Sequence, residues 1–201
     1  MAQIWMIALT AGAVLAAPLA AGTAVAQDQT ASPPQAEQLA AARTAAKDLG
    51  ETLKGVLVQS IKSGGPVAAI AACNTIAPAI GLELSKKYQA EVGRTALRVR
   101  NAANAPDDYE RRVLEEFAAK LSAGADPATL EHSETTDVNG VKTLRYMKAI
   151  PMAAEPCAAC HGADLKPEVK AEIGKLYPQD QATGFKPGDL RGAFTISMPV
   201  K

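Results

Sequence analysis

The chain has 201 residues, and its 21 basic residues balance 21 acidic ones to a formal net charge of zero. That balance excludes a broad electrostatic pull toward nucleic acid or an anionic membrane surface. Three cysteines exclude a disulfide framework, and an aromatic content of 4 % leaves the core to Ala, Leu, Ile and Val, a composition that a bulky buried cofactor would help to fill.

Residues 2–26 contain no Asp, Glu, Lys or Arg, and they end in Ala24-Val25-Ala26 ahead of a polar stretch at Gln27-Asp28-Gln29. Small residues at Ala24 and Ala26 fit a signal-peptidase site, so residues 1–26 are expected to be a signal peptide and the mature form not to span a membrane. The run is also long enough to stay as a membrane anchor, and the lack of Lys or Arg ahead of it is at odds with an export leader. Residues 27–35, with Pro33-Pro34, read as a linker, and residues 36–201 as one domain.

From about Ala36 to Ser63 an apolar stripe of Leu39, Ala42, Ala46, Leu49, Leu53, Val56 and Leu57 predicts a long helix ended by Gly64-Gly65. A second helix is expected from Pro66, with Ala69, Cys73, Ile76, Ile80 and Leu84 on one face. Cys73 is then expected to point inward, just ahead of a break or kink at Pro78. Residues 92–100 alternate like a half-buried strand, with Arg94, Ala96, Arg98 and Arg100 facing one way. Asp107 and Glu110 resemble a capping box before a helix with Val113, Leu114, Phe117, Ala118 and Leu121 on one face. Asn139-Gly140 predicts a hairpin with arms 134–138 and 141–150. A short helix at Pro167–Leu176 and a last strand at Ala193–Val200 complete an α+β pattern.

The chemistry is concentrated in Cys157-Ala158-Ala159-Cys160-His161, which reads as a c-type haem attachment motif. Two thiols three residues apart on a helical turn can reach the two vinyl groups on one porphyrin edge and form thioethers. His161, four residues after Cys157, can turn beneath the ring and bind iron, and Gly162 would let the backbone pass close to the macrocycle. One covalent haem c is therefore expected, attached in the periplasm. Two other readings exist. Cys157 and Cys160 could be a redox dithiol, which Pro156 and the antiparallel context oppose, or they could bind zinc together with His161 and Cys73. His132 reads as a solvated surface residue. Met147, Met152 and Met198 are further candidate iron ligands, though Phe194 and Ile196 beside Met198 suggest core packing.

Seven stretches carry a family resemblance. They are Ala71-Ala72-Cys73-Asn74 with Ala77-Pro78, Gly93-Arg94-Thr95 with Val99-Arg100-Asn101, Asn104 to Glu110, Arg145-Tyr146, Cys157 to Gly162, Tyr177 to Phe185, and Gly188 to Gly192. In this order they resemble the haem-c PAS-like family, periplasmic domains found alone or as the sensor part of membrane histidine kinases. The chain departs from the family pattern at Ala102, where Pro is expected. The resemblance implies a PAS-like antiparallel sheet with long N-terminal helices and haem against the sheet. It also implies a cysteine as second iron ligand, at the position of Cys73. From its sequence position alone, Cys73 reads first as an inert buried thiol, and it is the resemblance that favours iron ligation. Arginine forks suit haem propionates, and of Arg94, Arg98, Arg100 and Arg145 the pair Arg94 and Arg100 falls in matching stretches on the predicted strand.

The expected function is redox or small-ligand sensing through a change at the iron, with a redox partner protein or a gaseous ligand as partner besides haem. The rival is a mono-haem electron carrier, which would keep both iron ligands in both redox states. An enzyme is not expected, because no second buried His is evident to serve as a distal acid–base group.

Overall fold

The computed structural model describes Met1 and residues 33–200. The expected signal peptide and most of the expected linker lie outside these residues. The elements in chain order are helix α1 (Pro33–Tyr88), strand β1 (Glu91–Thr95), helix α2 (Asp108–Ser122), strands β2 (Glu131–Val138) and β3 (Val141–Pro151), the single turn α3 (Ala158–His161), helix α4 (Pro167–Leu176) and strand β4 (Leu190–Pro199). The four strands form one antiparallel sheet in the order β1-β4-β3-β2. The α+β expectation holds.

Helix α1 begins at Pro33, so residues 33–35 of the expected linker form its first turn. It kinks at the expected place, where Gly64 (φ −155°) and Gly65 (φ 71°, ψ −170°) leave helical geometry. Only glycine adopts the Gly65 conformation without strain. Of the break or kink expected at Pro78, the break does not occur: the residues around it keep helical dihedrals and the helix continues to Tyr88. Ala77 and Ile80, on either side of Pro78, are both buried, so tertiary packing outweighs the one backbone hydrogen bond that proline removes.

By length and composition α1 could cross a membrane, but its apolar stripe is used within the fold. Ala42, Ala45, Ala46, Leu49 and Ile80 pack against Val92, Leu144, Tyr146, Ile196 and Met198 on one face of the sheet. On the other face, Val113, Leu114 and Phe117 of α2 pack against Met147, Ala149 and Ala193. The alternation of β4 is as expected, with Phe194, Ile196, Met198 and Val200 all on the α1 side.

The hairpin turns at Asn139 (φ 54°) and Gly140 (φ 83°), the signs a two-residue type I′ turn requires. Strand β1, however, ends at Thr95 and not at residue 100. Beyond it the chain leaves the sheet to pair with a later loop, through Gln181 N–H donating to the Val99 carbonyl at 2.9 Å. The shared strand face of Arg94, Arg98 and Arg100 therefore does not exist.

The α2 capping box is complete. The Asp107 carboxylate accepts from Glu110 N–H at 2.8 Å, and the Glu110 carboxylate accepts from Asp107 N–H at 3.3 Å. Asp107 also pairs with Arg145 at 2.7 Å. Asp107→Ala should lower stability by about 1 kcal/mol, whereas Asp107→Asn, which keeps the cap acceptor, should lose well under that. Urea unfolding midpoints of the two variants check this; equal losses would assign the effect to the ion pair and not to the cap.

Candidate functional site

Residues 152–189 leave the sheet between β3 and β4 and carry the cysteine–histidine motif. Cys157 has helical dihedrals, and His161 N–H donates to the Cys157 carbonyl at 2.9 Å, so residues 157–161 form one helical turn with both cysteines on one side. Cys157 packs beside Met152, Ala182 and Phe185. Cys160 packs beside Ile70, Val169, Ile173 and Tyr177. A Cβ on Gly162 would lie 2.7 Å from the Ala158 carbonyl oxygen. Closure of the turn therefore already favours glycine at this position.

The loop 177–185 clamps this turn. Gly184 N–H donates to the Gly162 carbonyl at 2.9 Å, and Phe185 N–H donates to the His161 carbonyl at 3.0 Å. Nδ1 of His161 lies 2.7 Å from the Ala182 carbonyl oxygen. A carbonyl only accepts, so Nδ1 carries the proton and the lone pair is left on Nε2. Nε of Arg191, at the longer distance of 3.3 Å, cannot donate to a protonated nitrogen. Burial above all, with Arg191 and Arg100 adding to it, pushes the imidazole pKa down to about 3. His161 is thus a neutral imidazole with an oriented Nε2, the form that binds a metal.

Arg94, Arg98, Arg100 and Arg191 gather around the turn, with Asp180 as the one carboxylate hydrogen-bonded to any of them among the described residues. Arg100 donates through Nε to Asp180 at 2.9 Å and through Nη2 to the Cys160 and Ala182 carbonyls at 2.7 and 3.0 Å. Arg98 donates to the Gln181 and Thr183 carbonyls and lies over the Phe185 ring at 4.2 Å. Arg94 follows Val92 on the α1 face of the sheet and has no hydrogen-bond acceptor among the described residues. Burial lowers the pKa of Arg94, and burial together with Arg100 and Arg94 brings Arg191 down to about 10. The turn is thus surrounded by half-buried side chains with a surplus of positive charge.

Cys73 lies on the same helical stripe as buried Ala69, Ala77 and Ile80, but both it and Ile76 are exposed. The expected inward packing is therefore corrected: the stripe is covered by protein at its ends and open at its middle. Crowding around the thiol raises its pKa, and Arg94 and Arg100 oppose that rise. The same two arginines act on His161, and Cys73 adds to the rise in the Cys160 pKa. The fold therefore places Cys73 in the electrostatic neighbourhood of the motif turn.

The Tll0287-like family matches residues 19–199. The chain belongs to this family. It is also similar to the crystal structure of the cyanobacterial heme-protein Tll0287, with a TM-score of 0.61 and 26 % identity over 84 % of this chain and 97 % of that one. No curated protein matches it.

Several sequence expectations are redistributed in this Tll0287-like chain. Arg145 is on the α2 side of the sheet, bound by Asp107 at 2.7 Å and Glu110 at 3.6 Å, and cannot serve the motif turn. Met147 is in the α2-side core, and Met198 packs in the α1-side core as expected. Met152 is buried against Cys157 and Phe185, on the flank of the motif turn that His161 occupies. His132 lies on edge strand β2, near Glu116 and Glu134. No three His, Cys, Asp or Glu side chains among the described residues converge to hold a metal ion, so the Cys73–Cys157–Cys160–His161 zinc site is not assembled. Asp180, Ala182, Phe185 and Arg191 went unassigned in the sequence. The signal for three of them was the Tyr177-to-Phe185 stretch, whose polar and Gly residues mark a loop but do not say what it holds.

The depressed histidine gives a pH dependence. In the unfolded chain the His161 imidazole titrates near pH 6.5, whereas in the fold it stays neutral to about pH 3. Below pH 6.5 the unfolded state takes up a proton that the folded state does not. Stability is therefore intact above pH 6.5 and falls as pH drops toward 3, by about 1.4 kcal/mol per pH unit. Urea unfolding of the cofactor-free protein from pH 7 to 5 should show this slope, and His161→Asn should flatten it; equal slopes in both would mean that His161 is not held neutral.

Proposed function

We propose that this chain is a periplasmic haem c protein, holding one haem through thioethers to Cys157 and Cys160 with His161 as an iron ligand. One observation carries the reading: His161 Nδ1 donates to the Ala182 carbonyl at 2.7 Å, which leaves Nε2 as the coordinating atom at the end of a turn that presents both thiols. The cyanobacterial neighbour being a heme-protein supports it. So does the surplus of guanidinium charge, which suits two propionates. The sequence favoured Arg94 and Arg100 for that task. Arg94, with no acceptor among the described residues, retains it, while Arg100 is engaged with Asp180 and two carbonyls, and Arg191 is the better second candidate. The four-stranded antiparallel sheet supports a PAS-like assignment.

When bound, haem supplies a one-electron couple and an iron that can exchange ligands. The chain's own residues do the rest. The loop 177–185 fixes the His161 ring, Phe185 and Tyr177 contribute apolar walls, and Cys73 supplies a thiolate as second ligand. Its position on an otherwise apolar stripe, where the charges of Arg94 and Arg100 oppose the rise in its thiol pKa, supports that role. A thiolate from Cys73 would favour the ferric over the ferrous form of a bound haem, so this position would tie the ligand set to the oxidation state. The protein is then a redox or small-ligand sensor and not an enzyme.

Protein made with the c-haem maturation machinery should keep a haem stain on denaturing gels, and Cys157→Ser together with Cys160→Ser should lose it. Haem extracted from the wild type by acid acetone would refute covalent attachment. The second test is electron paramagnetic resonance of the ferric protein. A low-spin thiolate signal that disappears in Cys73→Ser is expected. Identical spectra would remove Cys73 from the iron and favour a plain electron carrier.

A further inference from the structure

The geometry points to Arg100 as a positioning residue that tunes His161 through the Ala182 carbonyl, with Asp180 holding Arg100 in register. The inference rests on the haem reading above. It gives Arg100 a role different from propionate binding.

The Ala182 oxygen accepts two hydrogen bonds at once, from His161 Nδ1 at 2.7 Å and from Arg100 Nη2 at 3.0 Å. A carbonyl has two lone pairs, so both bonds are satisfied, but they compete for the same electron density. The charged donor draws density from the oxygen, which then accepts less strongly from the imidazole. The imidazole keeps more of its proton, has less imidazolate character, and donates less through Nε2 to iron. Hydrogen bonds of this outer kind tune metal ligands in general. Arg100 therefore raises the reduction potential, and its own positive charge acts in the same direction.

The other contacts hold this arrangement rigid. The same Nη2 reaches the Cys160 carbonyl at 2.7 Å, next to His161 in the chain. A single oxygen of Asp180 accepts from Arg100 Nε at 2.9 Å and from Ala182 N–H at 3.0 Å. The Asp180 carboxylate thus orients both the guanidinium and the residue whose carbonyl that guanidinium polarises. The two side chains are 11 % and 9 % exposed, in surroundings where charge-assisted hydrogen bonds are at their strongest. Lysine would keep the charge at position 100, but its single nitrogen cannot reproduce the fork that spans Asp180 and both carbonyls.

The experiment is an optical redox titration of the holoprotein as wild type, Arg100→Gln, Arg100→Lys and Asp180→Asn, each first checked for covalent haem on a denaturing gel. The expected result is a midpoint lowered in both Arg100 variants by about tenfold in the ferric–ferrous equilibrium, which is about 59 mV for one electron. Asp180→Asn should raise the midpoint, because its amide oxygen still accepts while the charge of Arg100 is no longer offset. Arg100→Lys at the wild-type potential would overturn the inference, since charge alone would then suffice. Unchanged potentials in all variants would overturn it too, leaving Arg100 a structural clamp. If Arg100→Gln does not fold, Arg100→Lys and Asp180→Asn decide by the same signs. A wild type without covalent haem overturns the haem reading itself, a result separable from the others on the gel.

Discussion

The hydrogen bond from His161 Nδ1 to the Ala182 carbonyl is the contact on which the site depends. It selects the tautomer, aims Nε2 away from the loop, and joins the motif turn to a loop some twenty residues further along the chain. Leaving either partner unpaired where water is largely excluded would cost about 1–3 kcal/mol. The neighbouring bonds, Gly184 to the Gly162 carbonyl and Phe185 to the His161 carbonyl, repeat the join on the backbone. The ring is thus held from the side chain and from the main chain together.

That clamp forms because the sheet closes the segment carrying it. Residues 152–189 depart from β3 and return into β4, and the two strands pair from Thr143 with Pro199 to Pro151 with Leu190. Met152 and the 188–189 turn exchange backbone hydrogen bonds at the base of the excursion. Helix α1 supplies the opposite wall. Its kink at Gly64-Gly65 lets residues 33–63 cover the sheet while Ile70, beyond the kink, packs against α4. Cys73 follows less than one turn after Ile70, and this is how a thiol more than eighty residues upstream comes to neighbour the motif.

Much of the scaffold was legible in the sequence because its signals are local. The Asn139-Gly140 turn depends on two residues tolerating positive φ, the Asp107–Glu110 box on contacts within one helical turn, and the face of β4 on alternation alone. The errors arose where distant partners outweighed local preference. Pro78 stays helical because Ala77 and Ile80 are buried against other elements. Residues 96–100 alternate like a strand, yet they bond to the 180–183 loop. Arg145 looked available for an anion until Asp107 and Glu110, nearly forty residues away, took it.

The sequence by itself determined that this chain carries two thiols and an imidazole at the spacing of a haem attachment turn, because that geometry is contained in five consecutive residues. It also determined the α+β class, through periodicities that each element carries alone. Only the tertiary structure decided which nitrogen of His161 is free, which arginines remain unengaged, and that Cys73 lies on the open middle of a stripe buried at its ends. Each of these depends on which polar group from another part of the chain arrives within about 3 Å, and no spacing along the sequence records that.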